Sequence, residues 1–189
     1  MINKNFIKKL KKEHLENDNE RKQIIALSNI ILHDSKRIIF ALHRGDMKKS
    51  VDKFNEIEKI LNKLEIKFGY KRLYKEGAYK AGVEEYVEAK MFYFVITGKK
   101  IDKIKKINLS IGSYLGGLCD LTGELVRRAI NESAKENFSE ADKMKKIINE
   151  IMTELVEFDM TGYSRTKYDQ AKNSLRKIEQ INYEIKIRK

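Results

Sequence analysis

The stretch GSYLGGLCDLTGELVRRAI, Gly112 to Ile130, decides how this chain is read. Tyr114, Leu118, Leu121, Leu125 and Ala129 recur at helical spacing and make one apolar face, so an amphipathic helix is predicted here. Asp120 and Glu124 lie one turn apart off that face, and Gly116, Gly117 and Gly123 flank them by helical angle. A glycine inside a helix costs roughly 1 kcal/mol relative to alanine. That cost is tolerated where side-chain bulk must be cleared for a second helix, a hydrated ion or a phosphate. Taken alone, the two acids are what a solvated stripe looks like; the glycines argue for a site. Cys119 falls among Leu115, Thr122 and Val126 by angle and is predicted to be a small buried hydrophobe, not a reactive thiol.

Working outward, the same periodicity covers most of the chain. Residues 3 to 44 read as one long helix, with Ile24, Leu27, Ile31, Ile38 and Leu42 in register and Gly45 then Asp46 as stop and cap. At 1.5 Å per residue, about 40 residues extend about 60 Å, longer than a domain of this mass needs, so something beyond the monomer is expected to cover part of it. A second helix is predicted from Met47 to Phe68, with Val51, Phe54, Ile57, Leu61 and Leu64 inward, and a third from Lys71 to Thr97, ending at Gly98. A basic connector, KKIDKIKKINL, places Ile101, Ile104 and Ile107 on one side before Ser110 caps the fourth helix, which runs to about Lys135. Ser139, with Asp142 three residues on, is predicted to cap a fifth helix whose inward residues are Met144, Ile147, Ile148, Ile151, Leu155 and Phe158. After Gly162, a last helix from Ser164 to about Ile187 carries Tyr168, Leu175, Ile178, Ile181 and Ile185. The expectation is an all-α bundle of about six to seven helices in one domain, 1–189, without repeat or linker.

Composition narrows the function classes. The chain has 189 residues and no proline, and 40 basic residues stand against 28 acidic ones, a formal net charge of +12. Such a surplus suits a polyanionic partner, since each neutralised phosphate releases counterions, although a lysine-rich solvated surface has the same composition. One cysteine excludes an intramolecular disulfide framework and fits a reducing cytoplasm. No apolar run approaches the roughly 20 residues needed to span a bilayer.

The third helix carries a second acidic pair. At 100° per residue, Glu85 shares its face with Ala78, Ala81, Ala89, Phe92 and Ile96, and Glu88 falls between Met91 and Phe92. Met91 to Ile96 is apolar all round, which predicts a helix buried in the bundle or at an interface. Ionised carboxylates there demand a cation or a proton. An i,i+3 pair on one helix and an i,i+4 pair on another make an all-oxygen set, suited to Mg²⁺ or Mn²⁺ rather than zinc or copper. A di-iron bundle would need Glu-x-x-His, and none of His14, His33 or His43 follows a glutamate at that spacing.

Several segments together resemble one known family. GSYLGGLCDLTGELVRRAI resembles the central helix of the translin/Trax family, EEYVEA (84–89) the acidic helix of its Trax branch, HDSKRIIFALHR (33–44) its first-helix signature and SRTKYDQAKNSLRKIEQINYEI (164–185) its C-terminal helix. The resemblance implies an all-α bundle whose long first helix helps build a multi-subunit shell. It also implies a Mg²⁺-dependent endoribonuclease cleaving single-stranded RNA, with the acidic set on Glu85, Glu88, Asp120 and Glu124. Translin itself binds RNA or single-stranded DNA and lacks the full set. The chain is shorter than Trax and is similar to archaeal-type, single-subunit members. A homo-oligomer such as an octamer, built from one kind of subunit, is therefore implied.

For phosphate binding, Arg127, one turn beyond Glu124, is the first choice, with Arg128, Lys71 and Arg72 second; Arg37 and Arg44 equally suit subunit salt bridges. Tyr74 shares the face of Glu85 and is a candidate for base stacking or for packing. Two other functions stay open. One is a non-catalytic binding module in the manner of translin. The other is an all-α nucleoside triphosphate pyrophosphohydrolase, whose EExxE pattern Glu84, Glu85 and Glu88 match but whose ExxD motif is here DxxxE.

Overall fold

Ile24, Ile31 and Ile38, seven residues apart, are fully buried and with Leu42 form the strip on which the rest of the chain is laid. The structure, a computed structural model, describes residues 1–187. Among them are seven helices and no strand: α1 (Lys4–His43), α2 (Met47–Phe68), α3 (Tyr70–Leu73), α4 (Gly77–Ile96), α5 (Ile111–Ser133), α6 (Phe138–Leu155) and α7 (Gly162–Ile187). This is the expected all-α bundle with a long first helix.

Local chemistry sets several of the boundaries. The Asn3 side chain accepts the N–H groups of Asn5 and Phe6 at the start of α1. Gly45, at φ +79°, turns the chain so that Asp46 accepts the Lys49 N–H at 3.1 Å and opens α2. Ser110 Oγ accepts the Ser113 N–H at 3.0 Å and opens α5. The connector tucks Ile104 and Ile107 into the core, with Lys106 at φ +71°.

Four expectations need correction. The predicted third helix is two: Tyr74–Glu76 form a turn, and this places the Tyr74 hydroxyl where it accepts the Ser110 N–H at 2.9 Å. Val51 is exposed, and Ser50 turns inward instead, its hydroxyl donating to Asp46 O at 2.9 Å. Phe158 lies beyond the end of α6 and is half-exposed. Ser139 is not a cap: α6 begins at Phe138 after Asn137, which makes no side-chain capping bond, and the Ser139 hydroxyl donates to Asn137 Oδ1.

α4 is the central helix. It packs against α1 on one side and α5 on the other, and α5 in turn packs against α6 and α7. Its buried residues go all the way round, from Tyr79 and Val83 to Val87, Met91 and Phe92, as the apolar run 91–96 led us to expect. The early part of α1 lies off this body, with Phe6, Leu10 and Leu15 exposed, until Arg21–Glu76 and Arg72–Glu20 ion pairs tie it down. No helix among the described residues is long and apolar enough to cross a membrane.

Candidate metal centre

Gly116 and Gly117 are where α5 meets α4. A Cβ on Gly116 would collide with the carboxylate of Glu84, and one on Gly117 would come within 2.6 Å of Val87 Cγ1 and 3.0 Å of the Glu88 backbone nitrogen. At Gly117 any side chain would push the helices apart, and at Gly116 one would displace the Glu84 carboxylate. Gly123 differs: nothing lies within 4 Å of its would-be Cβ, so it clears no helix contact.

This approach brings the two acidic pairs into each other's field. Burial pushes the Glu88 carboxyl up from its ordinary value to about 9, and the charges of Glu85, Asp120 and Glu124 add to the effect. Burial also raises Glu85, with Lys36 opposing and Asp120 and Glu124 reinforcing. Among the described residues neither Glu85 nor Glu88 has a hydrogen-bond or ion-pair partner.

The other pair is already engaged. Lys167 Nζ, from α7, donates to Asp120 Oδ2 at 2.5 Å and lies 2.8 Å from Glu84 Oε1. His43 Nε2–H, from the end of α1, donates to Glu124 Oε2 at 2.5 Å. The His43 side chain is 5 % exposed, its ring sits 4.8 Å from that of Phe92, and its Nδ1 is buried with no partner. No group of three or more His, Cys, Asp or Glu side chains among the described residues is drawn together ready to hold a metal. Charge and donor type nevertheless fit a hard divalent cation: oxygen ligands, with Glu88 buried, Glu85 partly buried and neither in an ion pair.

The basic candidates are scattered. Arg127 reaches Glu124 at 3.6 Å and stacks its guanidinium 4.7 Å from the Phe40 ring, leaving it half-buried beside the acids. Arg128 bonds the His43 carbonyl and Glu132, and Arg72 is held by Glu20 and Glu76, so both brace the fold. Arg37 pairs with Asp34 at 2.8 Å. Lys71 and Arg44 are exposed. Tyr74 is a packing residue, its ring against Tyr70 and Tyr79. Cys119 is buried as expected, its thiol pushed up to about 12 by burial and by Asp120.

Four participants escaped sequence reasoning: His43, Lys167, Lys36 and the Tyr163 hydroxyl, which donates to Glu84 Oε1 at 2.7 Å. They come from α1 and α7, and no spacing rule links them to the acids. Only their position inside HDSKRIIFALHR and next to or within SRTKYDQ could have pointed to them.

The Translin family profile matches residues 19–189. A translin-associated protein X homolog of Schizosaccharomyces pombe is 28% identical over 189 residues, covering 89% of this chain and 81% of that protein. An uncharacterized protein of Methanocaldococcus jannaschii is 28% identical over 165 residues, covering 85% and 73%. Among solved structures, AfC3PO matches with a TM-score of 0.87 at 21% identity over 97% of this chain and 98% of that one. A structure of AfC3PO in complex with duplex RNA matches with 0.85 at 20% identity, covering 97% of each. At these identities the likeness is one of fold, and it runs nearly end to end.

Proposed function

We propose, from the premise that this chain belongs to the Translin family, that it is a metal-dependent endoribonuclease acting on single-stranded RNA. The observation that carries the reading is the pair Glu85 and Glu88, the first partly buried and the second buried, neither in an ion pair, facing Asp120 and Glu124 across a helix contact made close by Gly116 and Gly117. These four would hold Mg²⁺, or Mn²⁺ in its place. A divalent ion bound there would supply Lewis-acid stabilisation of charge on a phosphodiester and favour ionisation of a water.

The chain's own residues have distinct tasks. Glu88 holds a proton when no cation is present, and releases it when one neutralises the site. His43 fixes the orientation of Glu124 from behind, out of reach of solvent. Arg127, braced over Phe40, binds a phosphate next to Glu124, and Lys36, whose charge is felt at Glu85, is a second phosphate ligand on α1. A fold neighbour solved in complex with duplex RNA supports RNA as the ligand class. Copies of this chain assemble through the exposed part of α1 into a homo-oligomer.

A non-catalytic binding module, for RNA or single-stranded DNA, is the second reading, favoured by one observation: Asp120 and Glu124 are already satisfied by Lys167 and His43. The pyrophosphohydrolase alternative is weaker, because Glu84, first acid of its EExxE pattern, is held by Tyr163 and Lys167. The test uses labelled unstructured RNA and duplex RNA with Mg²⁺, Mn²⁺ or chelator. Metal-dependent cleavage of the single strand is expected, falling about 100-fold or more in Glu88→Gln. Salt-sensitive binding without cleavage would instead support the binding module, and release of pyrophosphate from nucleotides the third alternative.

A further inference from the structure

Lys167 bridges three helices. Its ammonium, carried on α7, donates to Asp120 on α5 and pairs with Glu84 on α4, and its side chain is only 17% exposed. Tyr163, one turn earlier on α7, donates to the same Glu84 oxygen, and its ring lies 5.5 Å from the Lys167 ammonium. The space that Glu84 occupies is the space Gly116 leaves by having no Cβ.

A carboxylate oxygen at 2.5 Å from an ammonium is not free to ligate a second cation, and an ammonium beside a divalent ion is repelled by it. Two cations therefore compete for Asp120. The four-carbon stem of a lysine is flexible, and Glu84 offers it a second anchor already in contact. We propose that Lys167 is the resident cation of the site: it holds Asp120 in the metal-free protein, cedes it when a divalent ion binds, and remains on Glu84. Metal affinity is then set partly by α7, and by linkage the metal loosens the α7–α5 contact as much as that contact weakens the metal. This inference rests on the reading of Glu85, Glu88, Asp120 and Glu124 as a divalent-cation site.

The test is Mn²⁺ binding to the full chain, followed by calorimetry or by the loss of free-ion paramagnetic signal, with Glu88→Gln as the control that marks the site. Lys167→Met removes the charge, Lys167→Gln removes it but keeps hydrogen bonding should the first variant fold poorly, and Lys167→Arg keeps it. The neutral variants are expected to bind Mn²⁺ about tenfold more tightly than wild type, with Lys167→Arg showing no gain. Unchanged or weaker binding in both neutral variants, with wild-type binding still abolished by Glu88→Gln, would overturn the competition while leaving the metal site standing. Absence of Glu88-dependent binding in wild type and in every variant would overturn both.

Discussion

In the proposed function most of the chemistry turns on Glu88, because its carboxyl is buried, unpaired and surrounded by three more acids. Its pKa lies above the ordinary 4.5, at about 9, so the folded protein binds a proton that the unfolded chain gives up. The neutral form favours folding below about pH 4.5, and that contribution is lost as pH rises toward about 9. Thermal denaturation of the metal-free protein should therefore show stability falling across this window. Glu88→Gln should flatten the slope and stabilise the metal-free protein by on the order of 2 kcal/mol near pH 8. A Glu88→Gln variant with the same slope as wild type would mean that the carboxyl is solvated. His43 and Lys167 hold Glu124 and Asp120 by hydrogen bonds, which Glu88 lacks.

At the scale of elements, the contact between α4 and α5 makes the site. Gly117→Ala would force Val87 and the Glu88 backbone away, and should cost about 1–3 kcal/mol and weaken Mn²⁺ binding. Gly123→Ala, on the same helix and facing open space, should stabilise by about 0.5–1 kcal/mol and leave the fold unchanged. Chemical denaturation of the pair measures both signs at once. The helices themselves were legible in the chain because their periodicity is carried by long runs of Ile and Leu, and Ser110, Gly45 and Asp46 mark their ends by local chemistry. What escaped was decided across space. The Tyr74 turn follows from a hydrogen bond to a residue 36 positions away. Ser139 has the right neighbours for a cap, but the helix starts from Asn137, two residues earlier. Of the glycines expected to clear space, Gly116 and Gly117 do so for α4, while Gly123 faces solvent. The acidic pairs could be found on each helix separately, but their internal partners could not, since Lys167 is 47 residues from Asp120 and His43 is 81 from Glu124.

At the scale of the whole molecule, α1 outreaches the bundle it supports. Phe6 and Leu10, one turn apart, are 56% and 44% exposed at the start of a 40-residue helix. Exposed apolar side chains at this spacing suit burial against another copy of the chain. Phe6→Ser with Leu10→Ser should lower the mass measured in solution by light scattering while leaving the helical signal intact; an unchanged mass would assign assembly to another surface. Electrostatics work at the same scale: under the proposed function, the net charge of +12 would draw RNA to the surface while Glu85, Glu88, Asp120 and Glu124 would concentrate divalent ions in one pocket. The most direct measurement of that pocket is anomalous X-ray scattering from crystals of the protein soaked in Mn²⁺. A peak enclosed by Glu85, Glu88, Asp120 and Glu124, absent from Glu88→Gln crystals, is the predicted result. Ordered carboxylates with no peak among them at saturating Mn²⁺ would contradict it.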